Sequence, residues 1–347
     1  MKLSVCMASK IDDVDYAVLA EELGYHRIWV ADSQMIWSDA FAVMALIADR
    51  TSRIGIGSGV AVAGTRPAPV LAAGMATINR IAPGRVFCGV GSGNTAMRIM
   101  GHKPVTIAEL DQYLADLRPL LRGEEMTYQW RGKRSVTRHL MPKDGFVDFD
   151  HDIPLYVSGF GPRSIALAGT HGDGLVLGGS PTPQVLTALR SLTGRDDDFE
   201  VVLLTTMVVL ADGEPVDSDR VRAEAGAMAI AGLHYAYEQH VQYGNPPPAY
   251  AASFWDEYVA QVEAVPANVR HLHVHRGHCV WVEPDEERFL TKELLEATCM
   301  IGTAADLAAR VRALEDAGLT EVMLLPSLAT KEKVLRDVAA LVMPLLA

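Results

Sequence analysis

Short runs of branched and apolar residues alternate along the chain with longer runs in which apolar residues recur every three or four positions. Residues 3–7, 27–31, 54–62 and 85–90 read as buried parallel strands, which are near-continuously apolar. Between them, 12–23, 39–50 and 67–81 read as helices. Gly24 follows the first in the C′ position, Pro67 and Pro69 open the third, and Ala82-Pro83-Gly84 closes it. The repeat continues with a helix over 107–121, strands over 153–158, 174–177 and 201–210, and helices over 162–171 and 183–192. A helix over 303–317, a last strand over 321–325 and a helix from 331 onward complete it.

Strands and helices alternating in this way predict an α/β fold, a closed (β/α)8 TIM barrel spanning 1–347 as a single domain, with ligand sites at the C-terminal ends of the strands. An open doubly wound sheet is the alternative; regular repetition fits closure better. Two stretches break the repeat. Over about 122–152 Met126, Tyr128 and Trp130 alternate with polar residues, Gly132-Lys133 reads as a turn and 135–140 as the returning strand. Tyr128 and Trp130 either line a lid over an apolar substrate or pack the hairpin onto the barrel. About 214–301, between strands seven and eight, is far longer than a crossover needs and predicts an extra helical subregion. It holds Asn245-Pro246-Pro247-Pro248, the aromatics Phe254, Trp255 and Tyr258, and a histidine cluster over 271–278. An extended segment would put His271, His273 and His275 on one side, with His278 beyond a glycine.

Composition narrows the class. With 49% hydrophobic residues there is ample material for a core, and a net charge of -12 argues against binding a nucleic-acid backbone. No apolar run reaches the roughly 18 residues of a membrane span, and the N-terminus lacks signal-peptide regions, so a cytoplasmic protein with no membrane partner is expected. Cys6, Cys88, Cys279 and Cys299 are scattered without a C-x-x-C pair and read as reduced and structural.

Three loops carry most of the chemistry. Gly91-Ser92-Gly93-Asn94 ends strand four, Ser158-Gly159-Phe160-Gly161-Pro162-Arg163-Ser164 joins strand five to a helix, and Gly172-Asp173-Gly174 leads through strand six to Gly178-Gly179-Ser180. Free N–H groups, a cationic side chain and two serines at one helix start suit a phosphate. All three loops fall on one face of the barrel, which points to a phosphate-bearing cofactor. There is no G-x-x-x-x-G-K-[ST] segment and no G-x-G-x-x-G opening a helix after strand one. Gly55, Gly57 and Gly59 alternate with branched residues in strand three, where something must approach the backbone closely.

The G-S-G-V-A-V strand end, the T-R-P-A-P-V helix start, P-G-R-V-F-C-G-V-G-S-G-N, L-Y-V-S-G-F-G-P-R-S and G-D-G-L-V-L-G resemble the bacterial luciferase-like superfamily over 1–195 and 303–347. That superfamily holds flavin-dependent monooxygenases and deazaflavin-dependent oxidoreductases of the methylenetetrahydromethanopterin reductase type. The resemblance implies a cis Gly59-Val60 bond whose bulge supports the flavin ring, Ser92 and Asn94 along the ribityl chain, and a phosphate turn made by Ser158, Gly159, Gly161, Arg163 and Ser164. Gly178 and Gly179 match the neighbouring loop. Many members carry a functional histidine after strand two beside an acid; here Asp32 matches the acid and Ser33 the histidine.

The resemblance implies an oxidoreductase binding reduced FMN and oxygenating a small organic substrate through a C4a-peroxyflavin, with a separate flavin reductase as a possible supplier. An 8-hydroxy-5-deazaflavin coenzyme transferring hydride is the alternative, and a flavin-binding barrel without turnover a third. Candidate catalytic groups are Asp32, Ser33, His275 and His278. No metal is expected, because no acidic partner lies within the histidine run, and helices two and three offer an Ala-rich face for a homodimer.

Overall fold

A computed structural model describes residues 1–196 and 198–347. The parallel strands β1 (Lys2–Met7), β2 (Arg27–Val30), β3 (Gly55–Val62), β4 (Val86–Gly91), β5 (Leu155–Ser158), β6 (Gly174–Gly178), β7 (Glu200–Thr205) and β8 (Glu321–Leu324) close into a barrel. Closure is made by β8 on β1, with Lys2 opposite Glu321 and Val5 opposite Leu324. Around the barrel lie α1 (Asp15–Glu22), α2 (Ala40–Arg50), α3 (Ala68–Ile81), α4 (Ile107–Leu121), α5 (Pro162–His171), α6 (Pro183–Ser191), α7 (Ala304–Asp316) and α8 (Lys331–Leu341). No helix of the described residues is long and apolar enough to cross a membrane.

Strand residues alternate between two cores, as a period of two requires. Val5, Ile28, Ile56, Leu155 and Val201 face outward and pack with Met44, Leu71, Met75 and Leu114 of the helices. Trp29, Phe87, Tyr156, Val202 and Met323 fill the barrel. The Trp29 ring sits 4.3 Å from Phe87 and 5.2 Å from Tyr156, and its Nε1 donates to Glu321 at 2.8 Å, so a large aromatic is buried with its polar atom paired. The glycines of β3 make room for these rings. A Cβ on Gly57 would lie 2.4 Å from the Phe87 ring, and one on Gly59 2.6 Å from Trp29 Cβ. What approaches this backbone is therefore the protein's own aromatic core.

Four expectations change. The seventh strand ends at Thr205; Met207–Val209 leaves the barrel and pairs in parallel with Met300–Gly302. The hairpin pairs Met126–Trp130 with Lys133–Thr137, not 135–140, because its central turn residues are Arg131 and Gly132, at φ 49° and 80°. Two left-handed residues in succession are what a two-residue hairpin turn needs. The same insertion cannot be a lid over the ligand face. It joins the end of α4 to the start of β5, and barrel helices run back against the strands, so it lies at the N-terminal end of the barrel. Tyr128 packs on the main core there, while Trp130 is half exposed.

The fourth change concerns the histidines. Arg270–Val274 is a short helix, in which residues two apart point to opposite sides, so His273 faces away from His275, and His271 lies beside Gly101 instead. The second insertion is otherwise helical, as expected: Asp219–Tyr243, Trp255–Glu263 and Lys292–Thr298 enclose their own apolar cluster of Leu233, Tyr237, Trp255, Tyr258 and Phe289.

Candidate active site at the barrel mouth

The C-terminal end of the barrel carries the expected cradle. The Gly59-Val60 peptide is cis, and the pairing of β3 with β4 shifts register between Ser58 and Ala61, so the strand bulges at its mouth. Ser158, half-buried, ends β5. The Gly159 N–H is spent on Val176 at 3.1 Å, and the Ser164 hydroxyl caps its own helix by accepting from the Gly161 N–H at 3.2 Å while donating to the Gly161 carbonyl at 2.9 Å. Pro162 has no N–H, so the first-turn donors left are the amides of Arg163 and Ser164. The Arg163 side chain is exposed and has no ion-pair partner among the described residues. A Cβ at Gly161 or at Gly179 (φ 102°) would meet nothing within 4 Å. That open space beside two free donors and a guanidinium fits a phosphate. Gly178 lies against the Phe160 ring, which in turn packs on Tyr235 of the long insertion helix at 5.5 Å. The insertion thus leans over the phosphate turn.

Asn94 does something the loop pattern did not show. It opens a short helix, Asn94–Arg98, and its Nδ2 donates to Glu238 Oε2 at 2.6 Å, while Arg98 Nε lies 3.2 Å from the same oxygen. Glu238 Oε1 faces His275 Nε2 at 2.6 Å. One chain of contacts therefore ties the β4 loop to the insertion histidine. Ser92, half-buried, anchors the loop through its carbonyl, which accepts from Val105.

His275 stands in a cluster. His234, on the long helix, is 1% exposed and His275 is 5% exposed; His278 follows after Gly277. His234 Nε2 meets Glu286 Oε1 at 2.7 Å. His278 packs on Trp37 at 5.8 Å, and the neighbouring Cys279 packs on the apolar residues filling the barrel, which places the cluster over the mouth. The Nδ1 atoms of all three rings are buried without a hydrogen-bond partner among the described residues. Burial, and then the nearby His275 and His234, push the His278 imidazole well below its usual range, so it stays neutral.

Residues 11–321 match the family model described as luciferase-like monooxygenase. The chain belongs to that family. The match runs through both insertions, which the recognisable motifs had left out. The luciferase-like chain is 24% identical over 322 residues to a 5,10-methylenetetrahydromethanopterin reductase of Methanolobus tindarius, covering 89% of this chain and 88% of the relative. It is 27% identical over 319 residues to an F420-dependent glucose-6-phosphate dehydrogenase of Amycolatopsis mediterranei, covering 81% and 91%. The coenzyme F420-dependent tetrahydromethanopterin reductase of Methanopyrus kandleri superposes with a TM-score of 0.69 at 18% identity over the whole of both chains. Other solved structures of the same fold include an F420-dependent secondary alcohol dehydrogenase with an F420-acetone adduct and a type II Baeyer-Villiger monooxygenase with FMN.

At the remaining predicted positions the geometry is less generous. Asp32 is buried, and its oxygens face Arg66 Nε at 3.3 Å and Nη2 at 3.4 Å; Arg66 also reaches Asp39 at 3.0 Å. Both carboxylate oxygens face the guanidinium, so Asp32 is engaged in an ion pair with Arg66. Ser33 is buried, and its carbonyl caps the turn that carries Trp37. Sequence reasoning missed His234, Glu238 and Glu286. His234 and Glu238 are four residues apart within a helical run and so share one face, the single signal that pointed to them.

Proposed function

We propose that this chain is a deazaflavin-dependent oxidoreductase, exchanging a hydride between an F420-type coenzyme and a small organic substrate at the barrel mouth. The observation that supports it best is near-full-length similarity to a methanopterin reductase and to an F420-dependent dehydrogenase. The cradle is compatible with such a coenzyme's phosphate. Bound there, the coenzyme supplies two-electron hydride chemistry.

The chain's own residues supply position and enclosure. The Gly59-Val60 bulge gives the ring a ledge; Arg163 and the first turn of α5 hold the phosphate; Ser92 and Asn94 line the path between them. The insertion closes the chamber through the Phe160–Tyr235 and Trp37–His278 contacts, which keeps water from the reacting atoms. The substrate then lies between the bulge and the histidine cluster, where His275 and His278 are the polar groups at hand. Such a placement moves polar work from Ser33, at the family's usual position, to the insertion.

The monooxygenase that the sequence suggested first, working with reduced FMN, is the second reading, favoured by the family's own description. It alone calls for a separate flavin reductase. Anaerobic calorimetric titration of the apoprotein with reduced F420 and with reduced FMN separates the two. Reduced F420 binding at least tenfold tighter is the expected result. The reverse order would install the monooxygenase, and binding of neither would remove the cradle.

A further inference from the structure

We infer that His234, His275 and His278 form a binding site for one divalent transition-metal ion of the zinc class. One ring nitrogen from each histidine lies within 4.8 Å of those of the other two. The His234 and His275 planes cross at 87° with centroids 5.9 Å apart, and those of His275 and His278 at 85° with centroids 5.3 Å apart. Rings set edge to face around a shared centre can each aim a nitrogen at it.

The pairing of the ring nitrogens makes the case stronger. Glu238, held by Arg98 and Asn94, engages His275 through Nε2 at 2.6 Å and leaves Nδ1 as the ring nitrogen open to another partner. Glu286 does the same to His234. The Nδ1 atoms of all three rings are thus buried with no hydrogen-bond partner among the described residues. A cation is the partner this arrangement lacks. His278 completes the set: its Nε2 has only the Cys279 sulfur, at 3.6 Å, and its Nδ1 is equally unpartnered.

Two of the three imidazoles thus carry the outer carboxylate that metal-bound histidines usually have, which orients the ring and strengthens the ligand. Imidazole nitrogens suit zinc, cobalt or nickel; magnesium and calcium take oxygens. Zinc–nitrogen bonds of about 2.0–2.1 Å put tetrahedral ligands about 3.4 Å apart, so the cluster closes by an ångström or so on binding. Three protein ligands leave a fourth position for water or an oxygen ligand. That a substrate hydroxyl or carbonyl fills it rests on the mouth being the reaction chamber; metal binding itself does not.

The test uses the full chain without coenzyme: strip it with a chelator, titrate with zinc chloride by calorimetry, and record the visible spectrum with cobalt. One equivalent of zinc and the intense d–d bands of four-coordinate cobalt are expected. His278→Gln keeps both carboxylate–histidine pairs, so it should fold, verified by its near-ultraviolet circular dichroism, yet bind zinc at least about 100-fold more weakly. Glu238→Gln should lose 10- to 100-fold, and His171→Gln, whose imidazole faces Asp111 far from the cluster, should lose nothing. Absence of stoichiometric zinc, or zinc affinity indifferent to His278→Gln, would overturn the site. Coenzyme titrations of the stripped protein test the cradle separately, so either can fail alone.

Discussion

The two ends of this barrel treat buried polar atoms in opposite ways. At the N-terminal end, Arg27 Nη1 donates to Glu200 at 2.8 Å and to Glu321 at 2.9 Å, Lys2 reaches Glu200 at 2.5 Å, the Tyr156 hydroxyl donates to Glu200 at 2.6 Å and Trp29 to Glu321 at 2.8 Å. The guanidinium also lies 5.0 Å from the Tyr156 ring centroid. At the C-terminal end, three imidazole nitrogens, the Trp37 indole N–H and the Gln34 carbonyl oxygen are buried with no partner among the described residues. An unsatisfied buried polar group costs roughly 1–3 kcal/mol; Ser4 Oγ and His139 Nδ1 carry that cost elsewhere, but the mouth gathers five such atoms in one place. A closed ion-pair network marks the end that holds the barrel shut; a gathering of unpartnered atoms marks the mouth.

Breaking the saturated end should cost the most. Arg27→Met leaves Glu321, 0% exposed, with a buried charge and no cation, and removing one partner of such a pair typically costs about 3–5 kcal/mol. Urea unfolding should register that loss while zinc and coenzyme affinities stay within twofold. A stability unchanged by Arg27→Met would show that the network does not hold the barrel.

Acid probes the same end with a smaller effect. Burial alone would raise Glu200, but hydrogen bonds from Lys2, Tyr156 and Arg27 outweigh it and hold the carboxyl at about 2, against an ordinary 4.5. A depressed carboxyl contributes stability that is fully present above about pH 4.5 and is lost as pH falls through 2. The span is worth roughly 3 kcal/mol. Unfolding free energy measured from pH 5 down to pH 2 should fall in the wild type and fall less steeply in Glu200→Gln. Parallel slopes would assign acid sensitivity elsewhere.

At the mouth the sign of the stability change should differ. His278→Phe keeps a ring against Trp37 and removes one unpartnered nitrogen, so metal-free stability should hold or rise by about 1 kcal/mol. Turnover should drop about 100-fold, equivalent to about 2.7 kcal/mol of barrier. If stability and turnover fell together, the cluster would be one more piece of packing and the contrast between the ends would dissolve.

Much of this was legible in the chain and some was not, for physical reasons. Buried parallel strands are continuous apolar runs, so the barrel announces itself, and the glycines after β4, β5 and β6 mark its mouth. Local spacing fails for the cluster because its partners are distant: His275 meets Glu238 across 37 positions and His234 meets Glu286 across 52. Alternation within R-H-L-H-V-H suggested a strand, but a buried Val274 inside a helical turn put His271 and His273 elsewhere. Arg66 was visible in the T-R-P segment; that it pairs with Asp32 depends on β2 and β3 lying side by side, a tertiary pairing that local spacing does not show.

The smallest expected effect sharpens the contrast by its absence. Trp130 is 49% exposed, stacks on Tyr128 with centroids 6.3 Å apart, and belongs to a hairpin at the saturated end. Were that hairpin a lid over the substrate, Trp130→Ala would raise KM severalfold. Because chain direction puts it at the opposite end from the cradle and the histidines, the substitution should leave KM and kcat within twofold. Stability should change by no more than about 0.5 kcal/mol, the usual range for an exposed position. Steady-state kinetics on this variant beside His278→Phe would show whether activity is confined to one end of the barrel, since the two positions lie at opposite ends.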